Sequence, residues 1–283
     1  MMPATQAVLA SLTLMTWLSL AMAHADALVR IPNVPGHPFP PYLLGYLARP
    51  DGPGPFPAVV VLHGCNGFSS ASAAIADDLK TFGYVALTVD SLGPRDSSGE
   101  CGRFFVGQEI DAYAALAHLS QLPFVDSNRI ALLGTSMGGY SALLAVQRGA
   151  LEKKFDHKFR AAIAYYPSCH GFSAIMTVPT MILIGDADDW TPAEACRKMV
   201  AQWTGEGDRI ALVVYPGAYH GFNFPQLEPG AGFLGHWLQY DKRAATDAWE
   251  KVTTFLATNL GTRPSDAPSQ ADGKSPLGVR TQR

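Results

Sequence analysis

From residue 58 to residue 62 the chain reads Ala-Val-Val-Val-Leu, a run with no polar residue and a β-branched core. A strand with one face in water alternates apolar and polar residues. An unbroken run therefore points to a strand buried on both faces, as in a parallel sheet covered by helices. Similar short runs recur at 84–89, 130–133, 161–165, 181–184 and 211–215. Helical spacing fills the intervals at 71–81, 107–122, 137–147 and 192–204, and a long helical pattern follows at 244–260. An extended stretch at 27–31 and an apolar strand at 42–48 precede the first buried run. This alternation predicts an α/β fold, a mostly parallel doubly wound sheet of about eight strands with helices on both faces.

The flanks have a different character. Residues 7–23 carry no charged side chain, and Ala21-Met22-Ala23 and Ala23-His24-Ala25 both offer the small-x-small pattern of a cleavage site. A signal peptide is expected over 1–25, leaving no stable membrane anchor after cleavage and a periplasmic or secreted product. Residues 261–283 are rich in Pro, Ser, Gly and Asp, too poor in apolar groups to bury a core, and are expected to be a disordered tail. The folded unit is then 26–260. A net charge of −3 without any basic cluster argues against a nucleic-acid partner.

In open α/β sheets, ligands sit beyond the carboxyl ends of the strands. After the 130–133 run comes Gly134-Thr135-Ser136-Met137-Gly138-Gly139, a G-x-S-x-G pattern between a strand and a helix. Such a turn lifts the serine hydroxyl above the sheet, which makes Ser136 the candidate nucleophile. A serine needs a base. Of the eight histidines, His63 and His220 closely follow core strands, and His220 comes last in the chain, as the order Ser…Asp…His requires. His118, His157 and His236 read as helix or loop positions without a partner. An acid should follow the strand between Ser136 and His220, where Asp186, Asp188 and Asp189 all stand; spacing alone leaves the three open. The strand at 58–62 runs into His63-Gly64-Cys65-Asn66-Gly67, a loop fit to hold an oxyanion. The amides of Cys65 and Met137 are its expected donors, each worth on the order of 10²–10³ in rate. His63 reads as structural.

Several stretches together resemble the dienelactone hydrolase family, a branch of the α/β-hydrolase fold: VVLHGCNGF, YVALTVDSLGPR, DAYAALAHLSQLPFVDSNRIALLGTSMGG, ILIGDADDWTP and YPGAYHGF. The likeness covers 28–260. It implies that Asp188 is the acid, because Gly185, Asp188 and Pro192 match the family's G-x-x-D-x-x-x-P frame. Through the family's strand order it also implies the disulfides Cys65–Cys101 and Cys169–Cys196, the first pinning the oxyanion loop. Founding members carry a cysteine nucleophile, where this chain has Ser136, and a restraining glutamate, where it has Gly64. They bind the dienelactone carboxylate with arginines. Arg95 lies near one such position, yet the segment after His220 runs Gly221-Phe222-Asn223-Phe224 with no arginine. The resemblance thus implies a serine esterase with the fold but not the founding specificity, acting on a small-molecule ester with no metal or organic cofactor. Arg95, Trp190 and Phe222 are the candidate substrate-binding residues. Phe224, Phe233 and Trp237 either line a pocket for an apolar group or form ordinary packing. The rival readings are a peptidase on the same fold, which lacks a gating domain here, and a non-catalytic binding protein, which does not account for a full triad.

Overall fold

The computed structural model describes residues 26–34, 40–97, 101, 107–149 and 151–261, so the expected signal peptide and nearly all of the expected tail lie outside the described residues. The chain begins with β1 (Ala27–Pro32), β2 (Tyr42–Ala48), β3 (Phe56–Leu62), α1 (Ser70–Thr81) and β4 (Val85–Asp90). It continues with α2 (Gln108–Ser120), β5 (Val125–Thr135), α3 (Met137–Val146), β6 (Ala161–Tyr165) and β7 (Thr180–Gly185). The last elements are α4 (Ala193–Ala201), β8 (Ile210–Tyr215), β9 (Ala231–Phe233), β10 (His236–Leu238) and α5 (Lys242–Leu260).

Eight strands form one sheet in the order β1-β2-β4-β3-β5-β6-β7-β8. β1 and β2 pair antiparallel, as do β2 and β4; every other neighbouring pair is parallel. This is the α/β-hydrolase arrangement. The unbroken apolar run has the burial it calls for: every residue of β3 is buried, as is every residue of β6 and β7. Each fully buried Val or Leu contributes roughly 1.5–3 kcal/mol relative to exposure, which makes these central strands the anchor of the fold. The edge strand β8 buries only its two ends.

Boundaries differ from the sequence reading where side chains intervene. β5 starts at Val125, ahead of the apolar run, because Val125 pairs with Phe56 before a register shift resumes at Ala58 and Ile130. The polar stretch Asp126-Ser127-Asn128 conceals that first segment. α5 starts early because the Asp241 carboxylate accepts from the Ala244 amide at 2.9 Å and caps it. α1 opens with a reciprocal cap between Ser69 and Ser72. Among the described residues, no helix is long and apolar enough to cross a membrane.

Candidate active site

β5 ends one residue before Ser136, whose backbone sits at φ 55° and ψ −115°, outside the regions a non-glycine residue prefers. The two glycines of the motif make this turn possible. A Cβ on Gly134 would run into the Gly138 carbonyl. One on Gly138 would lie 2.5 Å from the Leu62 carbonyl oxygen and 2.7 Å from that of His63. The Ser136 amide donates to the Tyr165 carbonyl at 2.9 Å, which ties the turn to the end of β6.

Ser136 Oγ lies 2.9 Å from His220 Nε2, and His220 Nδ1 lies 2.8 Å from Asp188 Oδ2. The three side chains come from the ends of β5, β7 and β8, the positions at which ligands of such sheets bind. The Asp188 side chain is fully buried, and that of His220 is nearly so. A buried carboxylate needs donors. Asp188 has the amides of Trp190 and Thr191 on Oδ1 at 3.0 and 2.8 Å. On Oδ2 it has the Thr191 hydroxyl at 2.9 Å and the His220 imidazole. The neighbouring aspartates serve otherwise: Asp186 accepts from the Gly217 amide at 2.6 Å, and Asp189 pairs with His236 at 3.4 Å.

The loop after β3 faces Ser136. His63 is buried in it, with Nδ1 2.6 Å from the Gly64 carbonyl and Nε2 3.2 Å from the Ser91 amide. These contacts specify the neutral ring with its proton on Nδ1, and burial lowers the pKa of His63 below its ordinary 6.5. Gln108 Nε2 donates to the His63 carbonyl at 3.1 Å. Cys65 is joined to Cys101, and both line the cleft. The second disulfide joins Cys169, after β6, to Cys196 on α4, so both expected pairings are present. Met137 opens α3, so its amide has no carbonyl acceptor in its own helix.

A family model described as the dienelactone hydrolase family matches residues 43–260. The chain belongs to the dienelactone hydrolase family. It is accordingly a carboxylic ester hydrolase. The matched span runs from β2 to the end of α5 and leaves out β1, which the resemblance over 28–260 includes. A Bradyrhizobium protein described as a probable 2-oxo-3-(5-oxofuran-2-ylidene)propanoate lactonase is 26% identical over 77% of this chain and 90% of its own length. Two solved structures share the fold. The dienelactone hydrolase-like promiscuous phosphotriesterase P91, from metagenomic libraries, has a TM-score of 0.67 at 19% identity, over 84% of this chain and 100% of that one. Esterase 2 of Thermogutta terrifontis, phosphorylated by paraoxon, has a TM-score of 0.65 at 21% identity, over 84% of this chain and 96% of that one.

In this member of the dienelactone hydrolase family, two of the candidate substrate-binding residues lie elsewhere than expected. Arg95 does not line the cleft: its guanidinium is held by both carboxylate oxygens of Asp111, at 2.8 and 2.9 Å, and by the Ser91 carbonyl at 2.6 Å. Phe222 is fully buried against Tyr165, Tyr166 and Tyr215 and supports the site from below. Trp190 does line the cleft, its ring 5.0 Å from that of His220. Phe224 and Phe233 line it too, whereas Trp237 does not. A Cβ on Gly64 would stand 3.6 Å from the Ser136 Cβ, in ordinary contact, and 3.2 Å from Asn66 Oδ1.

Three features of this family member escape the sequence reading. Thr191 bonds the Asp188 carboxylate. Tyr166 packs its ring 4.5 Å from His220 and donates its hydroxyl to Asn223 Oδ1 at 2.7 Å, while burial pushes its phenol well above 10. The hairpin of β9 and β10 builds one wall of the cleft, and His236, expected to have no partner, sits on it between Asp189 and a stacked Trp190. Thr191 before Pro192 carries the one usable signal, a hydroxyl three residues after the acid. A cleft of about 320 Å³ lies above Ser136.

Proposed function

We propose that the protein hydrolyses carboxylic esters through an acyl-enzyme on Ser136. The Ser136 oxygen attacks the ester carbonyl carbon while its proton passes to His220 Nε2. Asp188 holds His220 with Nδ1–H toward it and stabilises the imidazolium that forms. The negative oxygen of the tetrahedral intermediate is held by the amides of Cys65 and Met137. Its collapse breaks the carbon–oxygen bond of the alcohol, which leaves with the proton from His220. Water then attacks the acyl group, giving its proton to His220, and the second collapse returns that proton to Ser136 and releases the acid. The reading is carried by one observation, the unbroken hydrogen-bonded line from Ser136 through His220 to Asp188. Esterase 2 of Thermogutta terrifontis, which shares the fold, is phosphorylated by paraoxon, and the same reactivity is expected at Ser136.

We also place the mature protein in the periplasm or outside the cell. All four cysteines are in disulfides, which persist in oxidising compartments. The test of the activity is hydrolysis of p-nitrophenyl acetate by the mature protein and by Ser136→Ala. A loss on the order of 10³–10⁶ in kcat supports the reading. An equally active variant refutes the nucleophile, and an inert wild type refutes ester hydrolysis.

A further inference from the structure

The two sides of the cleft differ in kind. On the oxyanion-loop side stand small residues, Gly67, Ser69 and Ala71. On the His220 side stand Trp190, Phe233 and Leu238, all large and apolar. Two of these come from the hairpin, which is built into the catalytic loop. Leu238 forms a bridge with His220, and the Gln239 amide donates to the His220 carbonyl at 3.3 Å. Trp190 packs on the hairpin, stacked on His236 at 5.0 Å and 10°, with Phe233 at 5.8 Å. Among the described residues, the lining of the cleft holds no Lys, Arg, Asp or Glu.

We propose that the β9–β10 hairpin is the selectivity wall of this enzyme, and that it takes the alcohol half of an uncharged ester whose alcohol is flat and apolar, such as an aryl ester. This rests on the ester hydrolysis proposed above. The leaving oxygen receives its proton from His220 Nε2, so the alcohol must lie on the His220 side, against the hairpin, and the acyl group must face the small residues opposite. A flat ring stacks on Trp190 and Phe233 and gains from the burial of its apolar surface. An anionic group there loses its water and finds no positive side chain among the described residues, which costs binding. Arg95, the guanidinium that resemblance offers for such an anion, is held on Asp111.

The test uses two aryl acetates whose phenols have similar acidity, para-ethylphenyl acetate and para-(carboxymethyl)phenyl acetate. The wild type should favour the neutral ester by about 100-fold in kcat/KM. Phe233 is 41% exposed, so its replacement spares the core. Phe233→Ala should cut the preference for the neutral ester about tenfold, and Phe233→Arg should cut it further by improving turnover of the anion. Neither variant should alter the ratio between the acetate and the hexanoate of one phenol. Comparable turnover of the two acetates by the wild type overturns the uncharged class. A changed acetate-to-hexanoate ratio, or an unchanged aryl preference in both variants, overturns the assignment of the hairpin to the alcohol. These readouts are ratios between substrates, so they are separable from the Ser136→Ala result: an inert wild type gives no ratio and refutes the underlying reading instead.

Discussion

The turn that carries Ser136 and the hairpin that faces it are built on opposite principles. At the turn, the backbone of β3, β5 and α3 comes so close that Gly134 and Gly138 have no room for a side chain, and the serine is forced into a strained conformation. At the hairpin, two three-residue strands pair with each other outside the main sheet, and a bridge from Leu238 to His220 ties them to the site. Phe233, Leu234 and Trp237 there are 41%, 59% and 42% exposed. Chemistry needs reacting atoms placed within a fraction of an ångström, and close-packed backbone supplies that. Selection among substrates needs only a surface of the right character, which a short hairpin can supply and change.

The largest expected effect breaks the turn. Gly138→Ala puts a Cβ against two backbone carbonyls that cannot move independently of β3. It should lower kcat/KM by about 100-fold or more and depress the melting temperature. Leu234→Ser, on the hairpin, should shift the melting temperature by no more than a degree or two, since an exposed substitution is worth about 0.5 kcal/mol or less. Esterase assays and thermal melts of both variants check the contrast; equal sensitivity of the two regions would dissolve it.

A smaller effect lies at Thr191, which belongs to the rigid side. Its hydroxyl is 2.9 Å from Asp188 Oδ2, 3.1 Å from the Tyr166 carbonyl and 3.2 Å from His220 Nδ1, and the charged acceptor is the strongest claimant for its proton. Thr191→Val removes a donor from the carboxylate. The carboxylate is then less firmly held against His220, and kcat should fall roughly tenfold. Thr191→Ser should retain the wild-type kcat. A kcat unmoved by Val, or lowered equally by Ser, would leave Thr191 a packing residue.

The smallest effect is on stability. Burial lowers the pKa of His63 below 6.5 in the folded state. Between that lowered value and 6.5 the unfolded chain binds a proton that the folded chain does not, so stability falls as pH drops through this window and is fully retained above it. The slope attributable to one such group is about 1.4 kcal/mol per pH unit at most. Urea titrations between pH 7 and pH 5 should show it, and His63→Gln should flatten the dependence.

The same contrast explains what was legible in the sequence. The turn is readable because its backbone collisions exclude side chains other than hydrogen, and glycine at 134 and 138 records that exclusion. His220 and the candidate aspartates are readable because they follow strands whose apolar runs are unbroken. Selecting Asp188 from the three needed a family frame, since Asp186 and Asp189 are also engaged, one by a loop amide and one by His236. The hairpin is not readable. Ala-Gly-Phe and His-Trp-Leu are too short for alternation to register, and their place over the cleft comes from backbone bonds to the His220 loop, which no spacing reveals. Phe222 misleads for the complementary reason: an aromatic two residues after His220 can point into the cleft or beneath it, and here Tyr165, Tyr166 and Tyr215 receive it.

The central claim is that Ser136 becomes covalently bonded to the acyl group. Its most direct test is to treat the mature protein with paraoxon, then locate the adduct by peptide mass mapping. The account predicts one phosphorylated residue, Ser136, with esterase activity lost in step with labelling and no adduct in Ser136→Ala. Labelling at another residue, or full activity in a protein labelled at Ser136, would contradict it.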